Sequence, residues 1–169
     1  HSGDAGHRAD AVILVADCSA LIALATCSAL RVLDQLFGTV VAPEAVYREA
    51  VIGDKPQARH LQSYLQGRVR TIDPSYPVLL DGVSDRGETE AMILYRQLAA
   101  DRLLIDDRRG RRVARINGIE VIGSLGVLLA AKQAGYINAV KPYVLQMTAA
   151  DIYVTSDLIA TVLELAAET

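Results

Sequence analysis

The sequence predicts an α/β domain with three layers, α/β/α, around a central and mostly parallel sheet. Short apolar runs alternate with amphipathic helical stretches, which is the pattern of βαβ units. The first run, AVILVA over residues 11–16, is apolar at every position, as expected of a strand buried on both faces. Acidic residues directly follow two of the runs. With 169 residues and no internal repeat or linker, a single domain over residues 11–169 is expected.

After the first strand, segments with the hydrophobic pattern of helices alternate with segments that have the pattern of strands. In order, they predict a helix interrupted near Cys27 and Ser28, a strand over 39–42, a helix from Pro43 to Val51, a helix over 56–66 and a strand over 69–72. Proline is favoured in the first turn of a helix because it has no N–H to leave unpaired and its φ is already helical.

The second half begins with a loop. Residues 73–84 contain two prolines and a glycine, and Asp85 then caps a helix in which Glu88 completes a capping box. Next come a strand over 103–105, a helix over 108–116, a strand over 119–122, a helix from Gly123 to Ala134 that ends at Gly135, and helices over 140–149 and 155–167.

The composition of the chain limits the classes of protein to which it can belong. The net charge of −3 and the pI near 5.6 give no global attraction to a polyanion, so nucleic acid would have to meet a local basic patch. Cys18 and Cys27 form neither a disulfide framework nor a zinc-ligand set, and no apolar run approaches the length of a membrane span. We therefore expect a cytoplasmic protein. Residues 1–10 are expected to be a disordered terminus or a cloning remnant.

Acidic residues close two of the predicted strands. Asp17 ends the first strand, and Asp106 and Asp107 end the strand in RLLIDD. The carboxyl ends of parallel strands meet in one crevice, where carboxylates repel each other unless a cation or a proton intervenes. A divalent-metal site is therefore predicted. The alternatives are a helix N-cap for Asp17 and a turn with a cap for the pair.

Four further polar residues accompany these aspartates. Glu49 lies beside the apolar face of its helix, where a solvated surface glutamate is the alternative. Glu88 is the expected ligand of the GETEA segment, because positions two apart do not share a helix face, and Glu90 then supports it or lies on the surface. Ser19 is expected either to cap the following helix or to hold a metal-bound water.

The run RRGRRVAR carries a stripe of arginines at positions i, i+3, i+4 and i+7 of a helix: Arg108, Arg111, Arg112 and Arg115. Guanidinium groups suit bidentate phosphate contact, so this stripe predicts binding of a nucleic-acid backbone. A solvated helix face with internal ion pairs is the alternative. No nucleophilic triad and no glycine-rich nucleotide motif accompanies it.

These motifs together resemble a PIN domain, the nuclease fold of VapC-type toxins and of RNA-processing proteins. The resemblance covers roughly residues 11–135 and rests on the segments VADCSALIAL, PEAVYRE, GETEAMIL and LLIDDRRGRRVA in this order. The segment IEVIGSLGVLLAAKQAGYI is similar to a prokaryotic PIN subgroup that is predicted to bind nucleic acid.

The resemblance implies a metal-dependent endoribonuclease. Asp17, Glu49, Glu88 and an aspartate at 106 or 107 would bind one or two Mg²⁺ or Mn²⁺ ions, and the substrate would be single-stranded RNA. A toxin would also have an antitoxin protein as partner. The sequence departs from many toxin members, which carry aspartate where this chain has Glu88.

Other classes of function remain open. A PIN-fold module that binds nucleic acid or protein without turnover is the main alternative. A phosphotransfer domain fits poorly, since the acidic pair comes late and Ser19 stands where a second aspartate is needed. The apolar residues of the last helix predict either a homodimer interface or packing on the domain's own core: Leu158, Ile159, Val162, Leu163 and Leu165.

Overall fold

A five-stranded parallel sheet forms the centre of the molecule. The computed structural model describes residues 12–80 and 82–169, so the expectation for residues 1–10 lies outside the described residues. The strand order is β3-β2-β1-β4-β5, and every neighbouring pair is parallel. The strands are β1 (Ile13–Ala16), β2 (Thr39–Pro43), β3 (Val69–Arg70), β4 (Arg102–Leu104) and β5 (Val121–Ile122).

Helices connect the strands and cover both faces of the sheet. They are α1 (Cys18–Thr26), α2 (Leu30–Leu36), α3 (Glu44–Ala50), α4 (Ala58–Leu65), α5 (Arg86–Gln97), α6 (Arg108–Ile116), α7 (Ser124–Gln133), α8 (Lys141–Ala149) and α9 (Ser156–Leu165). The predicted three-layer α/β/α class is confirmed.

The central strand shows why the first apolar run has no polar position. Leu14 and Ala16 pack with α1, α2 and α7 on one face of the sheet. Val15 points to the opposite face, into a second cluster with Met92 of α5 and Val113 of α6. Successive side chains of a strand point to opposite faces, so a strand covered on both sides must be apolar at every position.

Most boundaries agree with the sequence to within two residues. The break between α1 and α2 is confirmed, and Ser28 there adopts a φ of 57°, a left-handed conformation that a helix interior does not allow. The strand predicted over 69–72 is shorter, since only Val69 and Arg70 pair with β2. Pro43 ends β2 and occupies the N-cap of α3 instead of its first turn.

The last helix packs partly on the domain itself. Val162 is buried, and Ile159 and Leu163 pack against the larger core cluster. Leu158 and Leu165 remain 48% and 63% exposed. Packing on the domain's own core therefore accounts for three of the five apolar residues.

No single helix in the described ranges is long and apolar enough to cross a membrane. The helices α1 and α2 together have the length and apolar composition of a membrane span, but the chain bends by 112° between them.

Candidate active site

The strand-end aspartates follow two neighbouring strands at the carboxyl edge of the sheet. Ala16 of β1 is in register with Leu104 of β4, and the Asp17 N–H donates to the Leu104 carbonyl at 2.8 Å. Asp106 follows two residues after Leu104. The prediction that acidic residues from different parts of the chain end adjacent strands is therefore correct in its geometry.

Asp17 is a buried carboxyl group in an acidic environment. It is 4% exposed, and although it occupies the N-cap position of α1, its side chain makes no capping hydrogen bond. Burial raises the pKa of Asp17 to about 8, and the negative charges of Glu88, Asp85 and Glu49 add to the effect, while the Cys18 backbone N–H opposes it. The helix-cap alternative does not account for this side chain.

Glu49 lies beside Asp17. Both carboxylates border Gly87 at the start of α5: a Cβ built on Gly87 would stand 3.2 Å from Glu49 Oε1 and 3.6 Å from Asp17 Oδ1. Glu49 also lies against the buried thiol of Cys18, whose pKa rises to about 12 through burial and then through the Glu49 charge. Glu49 thus belongs to the acidic crevice and is not an isolated surface residue.

Glu88 serves both as a helix cap and as a member of the crevice. Its backbone N–H donates to Asp85 Oδ1 at 2.7 Å, and its Oε1 accepts from the Asp85 N–H at 3.3 Å, so the predicted capping box is confirmed. The side chain is nevertheless buried. Burial raises the pKa of Glu88 to about 7, and the charges of Asp85 and Asp107 raise it further.

Glu90 faces a different neighbour. It is buried, and its Oε1 accepts a hydrogen bond from the Ala45 N–H at 3.1 Å, in the first turn of α3. Its Oε2 pairs with Arg86 Nε at 3.2 Å. Glu90 therefore ties α5 to the helix that carries Glu49, and the surface location is ruled out.

Asp106 and Asp107 point to different partners. Asp106 accepts from both the N–H and the hydroxyl of Ser124, each at 2.7 Å. Asp107 is the N-cap of α6 and accepts from the Gly110 N–H at 2.7 Å, with its charge close enough to raise the pKa of Glu88. Both aspartates have a capping role, and Asp107 is the one adjacent to the crevice.

Sequence reasoning missed two members of this region. Asp85 was predicted only as a helix cap, yet its charge acts on both Asp17 and Glu88. Ser124 was predicted only as a residue of the helix that starts at Gly123, and it donates hydrogen bonds to Asp106. Ser19 is the second residue of α1 and is exposed, so it does not cap that helix. Its other predicted role, holding a water, stays a prediction.

The arginine stripe is not uniform. Arg108, Arg112 and Arg115 are exposed, whereas Arg111 is partly buried. Burial lowers the pKa of Arg111, the charge of Arg115 lowers it further, and Asp106 acts in the opposite sense. One arginine of the stripe thus turns toward the acidic edge of the sheet.

The donor set suits a hard divalent cation in chemistry and charge. Carboxylate oxygens are the preferred ligands of Mg²⁺ and Mn²⁺. Burial and then neighbouring negative charges raise the pKa values of Asp17 and Glu88, and a bound cation would compensate both effects. Within residues 12–80 and 82–169, however, no three acidic, histidine or cysteine side chains converge on one ion position. Glu88 and Asp107 each direct an oxygen to a helix start instead.

The fold and the site together define an α/β domain with an acidic crevice at the carboxyl edge of a parallel sheet. A family model described as a PIN domain matches residues 13–168. The chain therefore belongs to the PIN-domain family, whose members are generally nucleases that use divalent metals. A comparison with curated proteins finds no match.

Proposed function

We propose that this protein is a metal-dependent endoribonuclease that hydrolyses phosphodiester bonds of RNA. The observation that carries the proposal is the buried Asp17 carboxyl, which shares a crevice with Glu49 and Glu88 and whose pKa is raised to about 8. Buried like charges are costly to keep in a fold unless a ligand compensates them. Perturbed carboxyl groups in a cleft are typical of functional sites.

Asp17, Glu49 and Glu88 would hold one or two Mg²⁺ or Mn²⁺ ions, together with Asp107 or Asp106. Such an ion, when bound, polarises the scissile phosphate and makes a water molecule more acidic. The protein contributes the Asp17 carboxyl group, which is buried from solvent. The hydrogen bond from the Ala45 N–H to Glu90 also holds in place the helix that carries Glu49.

The arginine stripe supports RNA as the substrate. Arg108, Arg112 and Arg115 are exposed on the helix that begins directly after Asp107, so they can contact phosphates that lead to the crevice. The chain has seven tyrosines, one phenylalanine and no tryptophan, which offers little for a base-stacking platform. We therefore propose single-stranded RNA with weak sequence preference.

The direct test is the Asp17→Asn variant. Cleavage of a generic single-stranded RNA in Mn²⁺ or Mg²⁺ should fall by at least about 100-fold, because the buried carboxylate is lost while the side-chain volume is retained. Asp54→Asn, at an exposed loop position, is the matched control and should cleave like the wild type. Full activity in a folded Asp17→Asn protein would refute the proposal.

A second candidate is a PIN-fold module that binds nucleic acid or protein without turnover. The observation that favours it is that the carboxylate oxygens do not converge on one ion position in the described part of the chain. Calorimetric titration with Mn²⁺ separates the two candidates. The nuclease should take up Mn²⁺ in a manner that depends on Asp17, and the binding module should show no such uptake.

We also propose a prokaryotic, cytoplasmic role as the toxin of a toxin–antitoxin pair. An antitoxin protein would cover the acidic crevice, and a homodimer would bury the exposed Leu158 and Leu165 of α9. Induced expression should arrest bacterial growth, and Asp17→Asn should remove the arrest. Sedimentation of the wild type and of a Leu158→Ser, Leu165→Ser variant would test the dimer.

A further inference from the structure

Arg111 differs from the other arginines of its helix in both position and partners. It is partly buried, and its guanidinium crosses the carboxyl end of β5: a Cβ built on Gly123 would stand 2.5 Å from Arg111 Nη1. A side chain at residue 123 would therefore exclude the guanidinium from this place. The absence of a side chain at Gly123 is what allows Arg111 to lie at the acidic edge of the sheet.

Arg111 forms no salt bridge with the residues that the structure describes, although the Asp106 charge attracts it. Salt bridges there involve the cations Arg48, Arg68, Arg86 and Lys132. Asp106 is the nearby carboxylate, since its Oδ1 would stand 3.1 Å from the same Gly123 Cβ. Both Asp106 oxygens, however, accept hydrogen bonds from Ser124.

A partly buried guanidinium loses hydration, and the attraction of Asp106, which forms no salt bridge with Arg111 in the described part of the chain, offsets only part of that loss. We propose that Arg111 is a specific phosphate-binding residue, which holds one phosphate of the RNA at the edge of the acidic crevice. This inference rests on the proposed function for the identity of the ligand. The exposed Arg108, Arg112 and Arg115 then add diffuse attraction, while Arg111 supplies a contact of fixed geometry.

Binding without turnover tests this assignment separately from catalysis. The probe is a short fluorescein-labelled single-stranded RNA of mixed sequence, titrated with the full chain in EDTA and followed by anisotropy at several salt concentrations. Arg111→Gln should weaken binding by about 10-fold and reduce the slope of log K against log salt by about 0.7, the value expected for one lost phosphate contact on a single strand.

Two further variants make the result specific. Arg102→Gln removes an exposed arginine at the amino end of β4, opposite the crevice, and should leave both affinity and slope unchanged. Gly123→Ala keeps every charge but displaces the guanidinium, so it should weaken binding as Arg111→Gln does. Added to Arg111→Gln, it should have no further effect on RNA affinity. Circular dichroism and thermal unfolding confirm that each variant is folded.

The outcomes are distinguishable from those of the cleavage assay. Equal affinity and slope for Arg111→Gln and wild type would overturn the inference, as would a wild-type protein that binds no RNA at low salt. RNA binding that depends on Arg111, together with no cleavage in Mn²⁺ or Mg²⁺, would support the inference and refute the nuclease proposal.

Discussion

Asp106 directs both of its carboxylate oxygens to Ser124, one to the backbone N–H and one to the hydroxyl, each at 2.7 Å. This pair joins the end of β4 to the start of α7. Asp107, its neighbour in sequence, uses Oδ2 to cap α6 and lies close enough to Glu88 to raise its pKa. The two adjacent aspartates therefore have different surroundings, and we expect them to differ in function.

We predict that Asp107, not Asp106, contributes to metal binding. Asp107→Asn should weaken Mn²⁺ binding measured by calorimetry by about 10-fold, since it removes a negative charge beside Glu88. Asp106→Asn should mainly lower the free energy of unfolding, by about 1–2 kcal/mol, because an amide cannot accept both Ser124 hydrogen bonds. The reverse order of Mn²⁺ affinities would contradict this assignment.

We predict that Asp17 makes the metal-free protein less stable as the pH rises. Burial raises the pKa of Asp17 to about 8 from 3.8, so between these values the folded state keeps a proton that the unfolded state releases. The free energy of unfolding should therefore fall as the pH increases from about 4 to about 8. Glu88, whose pKa is raised to about 7, acts in the same direction.

The Asp17→Asn variant isolates this contribution. Because it removes the ionisable group but not its volume, it should be more stable than the wild type at pH 8 by on the order of 2 kcal/mol in urea unfolding with EDTA present. Near pH 4 the difference should largely disappear. The exposed Asp54→Asn substitution serves as the control and should follow the wild-type curve. A wild-type stability that is flat from pH 5 to pH 8 would rule out a buried Asp17 of raised pKa.

The sequence predicted the strand ends well and the side-chain partners less well. The position of Asp17 depends on the apolar run before it and on the parallel pairing of β1 with β4. The hydrophobic pattern and the order of the strands determine these two features. The capping box of Asp85 and Glu88 is a local motif within four residues, so it could also be predicted from the sequence.

The contacts that the sequence did not reveal join distant segments. Ser124 lies 18 residues from Asp106, and Ala45 lies 45 residues from Glu90, so no local rule pairs them. The helical spacing of the arginines correctly placed Arg111 with its neighbours along α6. It gave no indication that Gly123, on another element, lets that one side chain turn inward.

We predict that Gly87→Ala impairs metal binding without removing any ligand. The new methyl group would stand 3.2 Å from Glu49 Oε1 and 3.6 Å from Asp17 Oδ1, inside the space between the two carboxylates. Alanine is the better helix former, so thermal unfolding should change little. Mn²⁺ affinity and RNA cleavage should each fall by about 10-fold or more. Gly82→Ala, where nothing lies within 4 Å, controls for the loss of chain entropy and should behave like the wild type.

We predict that Glu90 acts by positioning α3 and does not bind the metal. Its Oε1 accepts from the Ala45 N–H at 3.1 Å, and its Oε2 pairs with the largely exposed Arg86. Glu90→Ala leaves that buried N–H without a partner and should cost about 1–3 kcal/mol in urea unfolding. Glu90→Gln keeps an acceptor for the Ala45 N–H and should recover most of this loss, since an ion pair with the largely exposed Arg86 contributes little to stability.

Mn²⁺ affinity should be the same for Glu90→Gln and the wild type. A loss of Mn²⁺ affinity in a stable Glu90→Gln protein would instead show that the Glu90 charge belongs to the metal site.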